Sequence, residues 1–269
     1  MAEHISDKGH VLQLGIVIHP RPSLVKRTLL DPKYAEQYRD LYEKHWWWRA
    51  RTEYIIETLQ RLRPSTGWKH ILDVGCGDGL FFPRLRQFGT VEGIEPAWRE
   101  VSATNVDGHS IYACSFDQNF RPPHKYSLIL MLDVLEHLED PVGALSHACE
   151  LLEPNGTLLI TVPAFMTLWT NHDILNHHFT RYTKGSLNKL TAKAGVRIIE
   201  ARYFFHWLYV AKFLVHIFEQ LFHPESALPR VPGAGINRFL YAISRAEQRM
   251  FARLPVPIGS SLMAVVERQ

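Results

Sequence analysis

Long apolar runs are missing from this 269-residue chain. No stretch of about 18 uninterrupted apolar residues occurs, so no segment reads as a membrane-crossing helix. Cysteine is scarce: Cys76, Cys114 and Cys149 are an odd set, and their spacing fits neither a zinc site nor a disulfide framework. A reducing cytoplasm is therefore expected, and residues 1–8 lack a basic-then-apolar leader, which agrees with it. Charge of one sign is also scant. The net charge is +3 and the lysines and arginines are scattered rather than massed, so nothing demands a nucleic-acid partner. What remains is the composition of a folded soluble protein, 46% hydrophobic and 21% charged, long enough for one α/β domain with additions.

Two nucleotide signatures are absent from the stretch that organises the chain, Ile71-Leu72-Asp73-Val74-Gly75-Cys76-Gly77-Asp78-Gly79. A dinucleotide fingerprint needs a third small residue where Leu80 stands, and no Gly-Lys-Ser/Thr follows to make a P-loop. The pattern present is acidic-x-Gly-x-Gly-x-Gly, a strand that stops in a turn no side chain obstructs. Such a turn before a helix N-terminus offers backbone N–H groups and the Asp73 carboxylate, but no dedicated phosphate cation. That suits a nucleotide-like ligand with an amino-acid end. Thr90–Glu95 reads as a second strand ending in an acid, and Glu95 falls twenty residues after Gly75. An acid at that place accepts hydrogen bonds from ribose hydroxyls.

With these motifs the chain resembles the class I S-adenosylmethionine-dependent methyltransferases, in particular the small-molecule, ubiquinone-type O-methyltransferase-like subset. Tyr126–His137 is similar to the family's fourth strand and following turn, and Leu151–Pro163 to its helix end, turn and fifth strand. The likeness spans about Trp46 to Leu187. It implies a cofactor site built from Asp73, Gly75, Cys76 and Gly77, from Glu95 and Pro96, and from Phe116, Asp117, Leu132 and Asp133. Asp117 is implied to face the adenine amino group. It implies S-adenosyl-L-methionine as cofactor and S-adenosyl-L-homocysteine as product. No Asn-Pro-Pro-Tyr or Pro-Cys motif of nucleobase methylation stands at the matching positions, which points to a small-molecule acceptor.

The order of elements predicts an α/β fold, a Rossmann-like seven-stranded doubly wound sheet. Strands are expected at 70–75, 90–95, 110–114, 126–132, 156–162, 196–205 and 261–269, with helices at 79–87, near 97–105, at 140–152 and from Thr183 to 194. Residues 1–62 form an N-terminal arm and cap helices, 63–205 with 261–269 the cofactor-binding core, and 206–260 a helical insertion between the last two strands. The run Val11–Ile18 is either an edge strand or an extended arm. Within the helical region 33–62, Trp46, Trp47 and Trp48 point in different directions, so they cannot all enter one core. The insertion carries a helix at His206–Phe222 whose polar side holds Lys212, His216, Glu219 and Gln220, and a second at Ile236–Leu254. Its wide apolar face is expected to be buried, by packing on the domain, a homodimer contact or a peripheral membrane contact.

Two stretches carry candidate chemistry. Asp133, Glu136 and His137 follow the fourth strand. They read either as the wall of the site with capping and hydrogen-bonding roles, or as hard-oxygen and imidazole ligands of a divalent metal. The loop Pro163–Thr183 is long, aromatic and histidine-rich, and such loops often form acceptor pockets. His178, in His178-x-x-Arg181-Tyr182-Thr183, is the first candidate for general base, with His137 and His172 behind it; fixing the loop is its competing role. The expected activity is methyl transfer to a small molecule, at oxygen. The alternatives are a membrane-associated lipid, quinone or lipid-linked sugar as acceptor, and a non-catalytic cofactor-binding scaffold subunit. Intact Asp73, Gly75, Gly77 and Glu95 argue against the last.

Overall fold

A computed structural model describes residues 11–13, 16–18, 32–96, 110–223, 229–252 and 254–268. The first of these form a hairpin, β1 (Val11–Gln13) against β2 (Ile16–Ile18), so the early apolar run is two short strands rather than one. Helices α1 (Pro32–Lys44) and α2 (Trp46–Leu62) follow. They break at His45, whose side chain accepts a hydrogen bond from Trp47 N and caps α2.

A seven-stranded sheet makes the core. Its members are β3 (His70–Val74), β4 (Thr90–Ile94), β5 (Ser110–Tyr112), β6 (Tyr126–Leu132), β7 (Leu152–Pro163), β8 (Val196–Phe204) and β9 (Ser261–Arg268), in the order β5-β4-β3-β6-β7-β9-β8. Pairing is parallel from β5 to β7, and β9 runs antiparallel to both β7 and β8. Side chains alternate between the faces, as the pleat requires. Leu72, Val74, Ile129 and Met131 enter one core with Leu145 and Ala148 of α4 (Pro141–Leu151) and Leu187 of α6 (Lys184–Lys193). Ile71, Leu128 and Leu130 enter the other with Ile55 and Leu59 of α2 and Leu85 of α3 (Phe82–Leu85). This double winding is the expected fold, and it leaves the carboxyl ends of β3, β4 and β6 side by side.

The boundaries need three corrections. The helix expected over 79–87 is only α3, because Gly75, Gly77 and Gly79 all hold positive φ and prolong the turn. The third strand ends at Tyr112 rather than 114, and β7 begins at Leu152, with an irregular register between Tyr126 and Leu128. The helix expected near 97–105 lies outside the described residues.

The tryptophans divide as their angular spacing demands. Trp46 joins the core of α2, Trp48 packs with Leu41 in a small separate cluster, and Trp47 touches both. In the insertion, α7 (His206–Phe222) and α8 (Ala234–Met250) are tied down by polar contacts. Glu247 of α8 accepts from the backbone N of His206 and Trp207 at 2.8 and 2.7 Å, capping the start of α7. Asn237 accepts from Trp46 N and donates to Lys44 O, joining α8 to the start of α2. The expectation that the apolar face of α7 is buried on the domain fails: Leu221 and Phe222 are 68% and 67% exposed, and Phe213, Leu214 and Phe218 are exposed as well. Lys212, His216 and Glu219 of the polar side turn inward instead, His216 and Glu219 finding hydrogen-bond partners there, while Gln220 stays exposed.

Candidate active site

The glycine turn borders open space. A Cβ added at Gly77, where φ is +55°, meets no protein atom within 4 Å, so the residue is glycine for its backbone and the room beside it is unfilled. Gly77 N donates to Glu95 Oε2 at 3.0 Å, which brings the turn and the end of β4 together as the two motifs implied. Asp73 is buried at the end of β3, and burial, opposed by Arg51 and aided by Glu95, pushes its carboxyl up to about 7. A cationic amino group placed here would restore its charge. Cys76 is also desolvated, so its thiol is pushed well above its ordinary range and is no nucleophile. Pro96 follows Glu95. Phe116 packs on Phe120 and His147, while Asp117 is exposed beyond β5 and accepts from Asn119 N at 2.8 Å. The residues fit a nucleoside joined to an amino acid: backbone N–H groups and a carboxylate at one end, an acid for a ribose diol at the other.

Leu132 is partly buried at the end of β6, and Asp133 follows it with φ +58°. Three contacts hold that backbone in its left-handed conformation. Asp133 N donates to Thr161 O at 2.9 Å, Thr161 Oγ1 donates to Asp133 Oδ1 at 3.0 Å, and Arg51 Nη2 pairs with Asp133 Oδ2 at 2.8 Å. Arg51 also donates to Thr161 Oγ1 at 3.0 Å, and its guanidinium lies 5.6 Å from the centre of the Trp47 ring. Helix α2 thus reaches into the site through Arg51. Nothing in the sequence distinguishes Arg51 from Arg49.

The loop after β7 turns back over β6. Its short helix α5 (Asn171–Leu175) starts at Thr170, whose N and Oγ1 both donate to Asp173 Oδ2. Asp173 is fully buried and gathers the loop: His178 Nδ1 lies 2.8 Å from Oδ1, and Arg181 Nε and Nη2 donate to Oδ1 and Oδ2, each at 2.8 Å. Against the cost of burial, His178 and Arg181 hold this carboxyl well below the usual carboxylate range. Because a carboxylate only accepts, His178 Nδ1 carries a proton here, and the neutral ring so oriented has its lone pair on Nε2.

Glu136, His137 and His178 each place a potential ligand atom so that all lie within 4.8 Å of one another. The Glu136 backbone is used, Phe179 N donating to its carbonyl at 2.7 Å, but neither carboxylate oxygen has a hydrogen-bond partner among the described residues. Burial, with Asp133 close by, pushes its carboxyl well above the usual range. His137 is held at about 4 by burial and by His178, and is neutral. A divalent cation could use this donor set. Asp133 does not belong to it, being tied to Arg51, and His178 stands in its place. The structure thus brings His137 and His178 together but leaves His172 out. Its ring packs on the Asn176 amide and burial pushes it down to about 3.

A methyltransferase-domain family model matches residues 47–201. The chain belongs to this family, the class I S-adenosylmethionine-dependent methyltransferases. Among curated proteins it is 28% identical over 149 residues to the ubiquinone biosynthesis O-methyltransferase of Burkholderia ambifaria, covering 48% of this chain and 62% of that one. The corresponding protein of Burkholderia pseudomallei is 23% identical over 208 residues, covering 65% and 87%. Two solved structures share the fold at low identity. One is the methyltransferase in complex with the Haloferax volcanii Trm112 activator, with TM-score 0.53, 16% identity, and 87% of this chain and 94% of that one covered. The other is Haemonchus contortus phosphoethanolamine N-methyltransferase 2, with TM-score 0.54, 16% identity, and 91% and 61% covered.

Proposed function

We propose that this chain transfers the methyl group of S-adenosylmethionine to a hydroxyl oxygen of a small-molecule acceptor, with His178 as general base. The observation that carries the reading is the Asp173–His178 hydrogen bond at 2.8 Å, which puts a proton on Nδ1 and orients an imidazole that clusters with Glu136 and His137 just after β6. S-adenosylmethionine supplies a methyl group already activated by its sulfonium. Gly75, Gly77 and Asp73 would hold its amino-acid end and Glu95 its ribose. With the sulfonium leaving as a neutral thioether, the acceptor oxygen would take the methyl group in line and His178 Nε2 would take the hydroxyl proton. The protein's share is alignment, exclusion of water and that proton.

The test is transfer of labelled methyl from S-adenosylmethionine to a panel of phenols and catechols by wild type and by His178→Gln. Wild type is expected to methylate oxygen in at least one of them, and the variant to lose about 100-fold or more in kcat while S-adenosylhomocysteine still binds. Methylation at nitrogen or carbon, or full activity in the variant, contradicts the reading.

A lipid-like acceptor is a second reading, supported by the exposed apolar face of α7 and by exposed Met166, Ile174 and Phe179 on the loop that α7 touches. No helix among the described residues is long and apolar enough to cross a membrane, so any such contact is peripheral. Sedimentation with liposomes that is lost in Phe213→Ser/Phe218→Ser supports it. Sedimentation unchanged by those substitutions counts against it.

A further inference from the structure

One face of α7 is pressed on the acceptor loop at three levels. The Tyr209 ring meets the Phe165 ring edge-on at 5.4 Å. His216 Nδ1 donates to the carbonyl of Trp169 at 2.6 Å, and Glu219 Oε2 accepts from Asn171 N at 2.8 Å. Lys212 lies three residues after Tyr209 and four before His216, so it projects from the same face between those contacts. It belonged to the polar side of the helix in the sequence, and the fold turns that side into the site. Asp173, Arg181 and Asp133 act on its ammonium, and it acts in turn on His172.

The charges around it are otherwise matched. Asp173 is paired with Arg181 and Asp133 with Arg51. Lys212 makes no ion pair and no hydrogen bond among the described residues, so one positive charge in this site has no protein partner. Lys212 is half-buried, an ammonium partly withdrawn from water without a counter-charge is costly, and burial with Arg181 nearby lowers its pKa to about 8. A simple structural lysine on a helix this exposed would extend to solvent.

We infer that Lys212 is the acceptor-recognition residue, and that the methyl acceptor carries an acidic oxygen group, a carboxylate or a phosphate, which pairs with its ammonium. This rests on the reading of the Pro163–Thr183 loop as the acceptor wall. The anion completes the charge balance of the pocket, and it holds the acceptor by a group other than the one methylated. A neutral analogue leaves the ammonium unpaired and binds less well.

The test measures binding, not transfer, so it stands apart from the role of His178. Protein saturated with S-adenosylhomocysteine is titrated calorimetrically with benzoate, phenyl phosphate and benzamide. At least one of the two anions is expected to bind about tenfold or more tightly than benzamide. Lys212→Met is expected to abolish that preference while S-adenosylhomocysteine affinity stays unchanged, and Lys212→Arg to keep it; which anion wins distinguishes carboxylate from phosphate. Equal binding of anions and benzamide, no binding of either anion, or an unchanged preference in Lys212→Met overturns the inference. A failure of His178→Gln to lose activity would leave this result untouched and would bear only on the base.

Discussion

His178 and Asp173 meet at 2.8 Å through Nδ1 and Oδ1, on a carboxylate that is fully buried and also gripped by Arg181. One residue therefore orients the imidazole and anchors the loop that carries it. Asp173→Asn keeps the shape but offers an amide where an acceptor is needed. It should lower kcat by about 100-fold or more and, by leaving Arg181 unpaired in the interior, cost about 3–5 kcal/mol of stability. Urea unfolding and turnover of the same preparation measure both, with His178→Gln as the comparison that spares the Arg181 pair.

Asp73 and the cofactor's amino group should be linked through protons. Burial, only partly offset by Arg51, pushes the Asp73 carboxyl up to about 7, and a bound ammonium favours its charged form. S-adenosylhomocysteine affinity should rise with pH up to about 7 and level off above it, with proton release on binding at pH 6. Calorimetry in two buffers of different ionisation enthalpy reads that proton directly.

Glu136 should be a site where stability was given up. Its folded-state pKa is raised, so its contribution to stability is present below the ordinary glutamate value and is lost as pH rises toward the folded value. Glu136→Gln should then raise the melting temperature at pH 8 by about 2–4 °C or more per kcal/mol recovered, and leave it nearly unchanged at pH 4.5. The opposite applies to Asp173, whose lowered pKa gives stability that is full above the ordinary aspartate value and is lost only as pH falls toward the folded one.

A side chain at Gly77 should damage binding more than folding. Gly77→Ala forces a Cβ into a positive-φ turn, at about 1–2 kcal/mol, without striking any protein atom. The added group enters the open space that the proposed cofactor would occupy. Circular-dichroism melting should shift by a few degrees, while S-adenosylhomocysteine affinity falls by about tenfold or more.

Much of this site could be read before the fold was known, for a physical reason. Asp73, Gly75, Gly77 and Glu95 act through backbone geometry and local strand ends, which a short sequence window records, and the hydrogen bond from Gly77 N to Glu95 joins two such windows. His178 was legible for the same reason, within one loop motif. Arg51, Thr161 and Lys212 were not, because each serves the site from an element whose direction only packing decides. Lys212 looked like the solvated side of an amphipathic helix. The hydrogen bonds of His216 and Glu219 to residues 169 and 171 reverse that orientation, and no local pattern encodes them.

If the glycine turn and Glu95 hold S-adenosylmethionine, calorimetric titration with S-adenosylhomocysteine shows it without any acceptor. Wild type should bind one equivalent in the micromolar range, and Glu95→Ala should lose about tenfold or more through the missing ribose contacts. No binding by well-folded wild type, or equal affinity in Glu95→Ala, would contradict it.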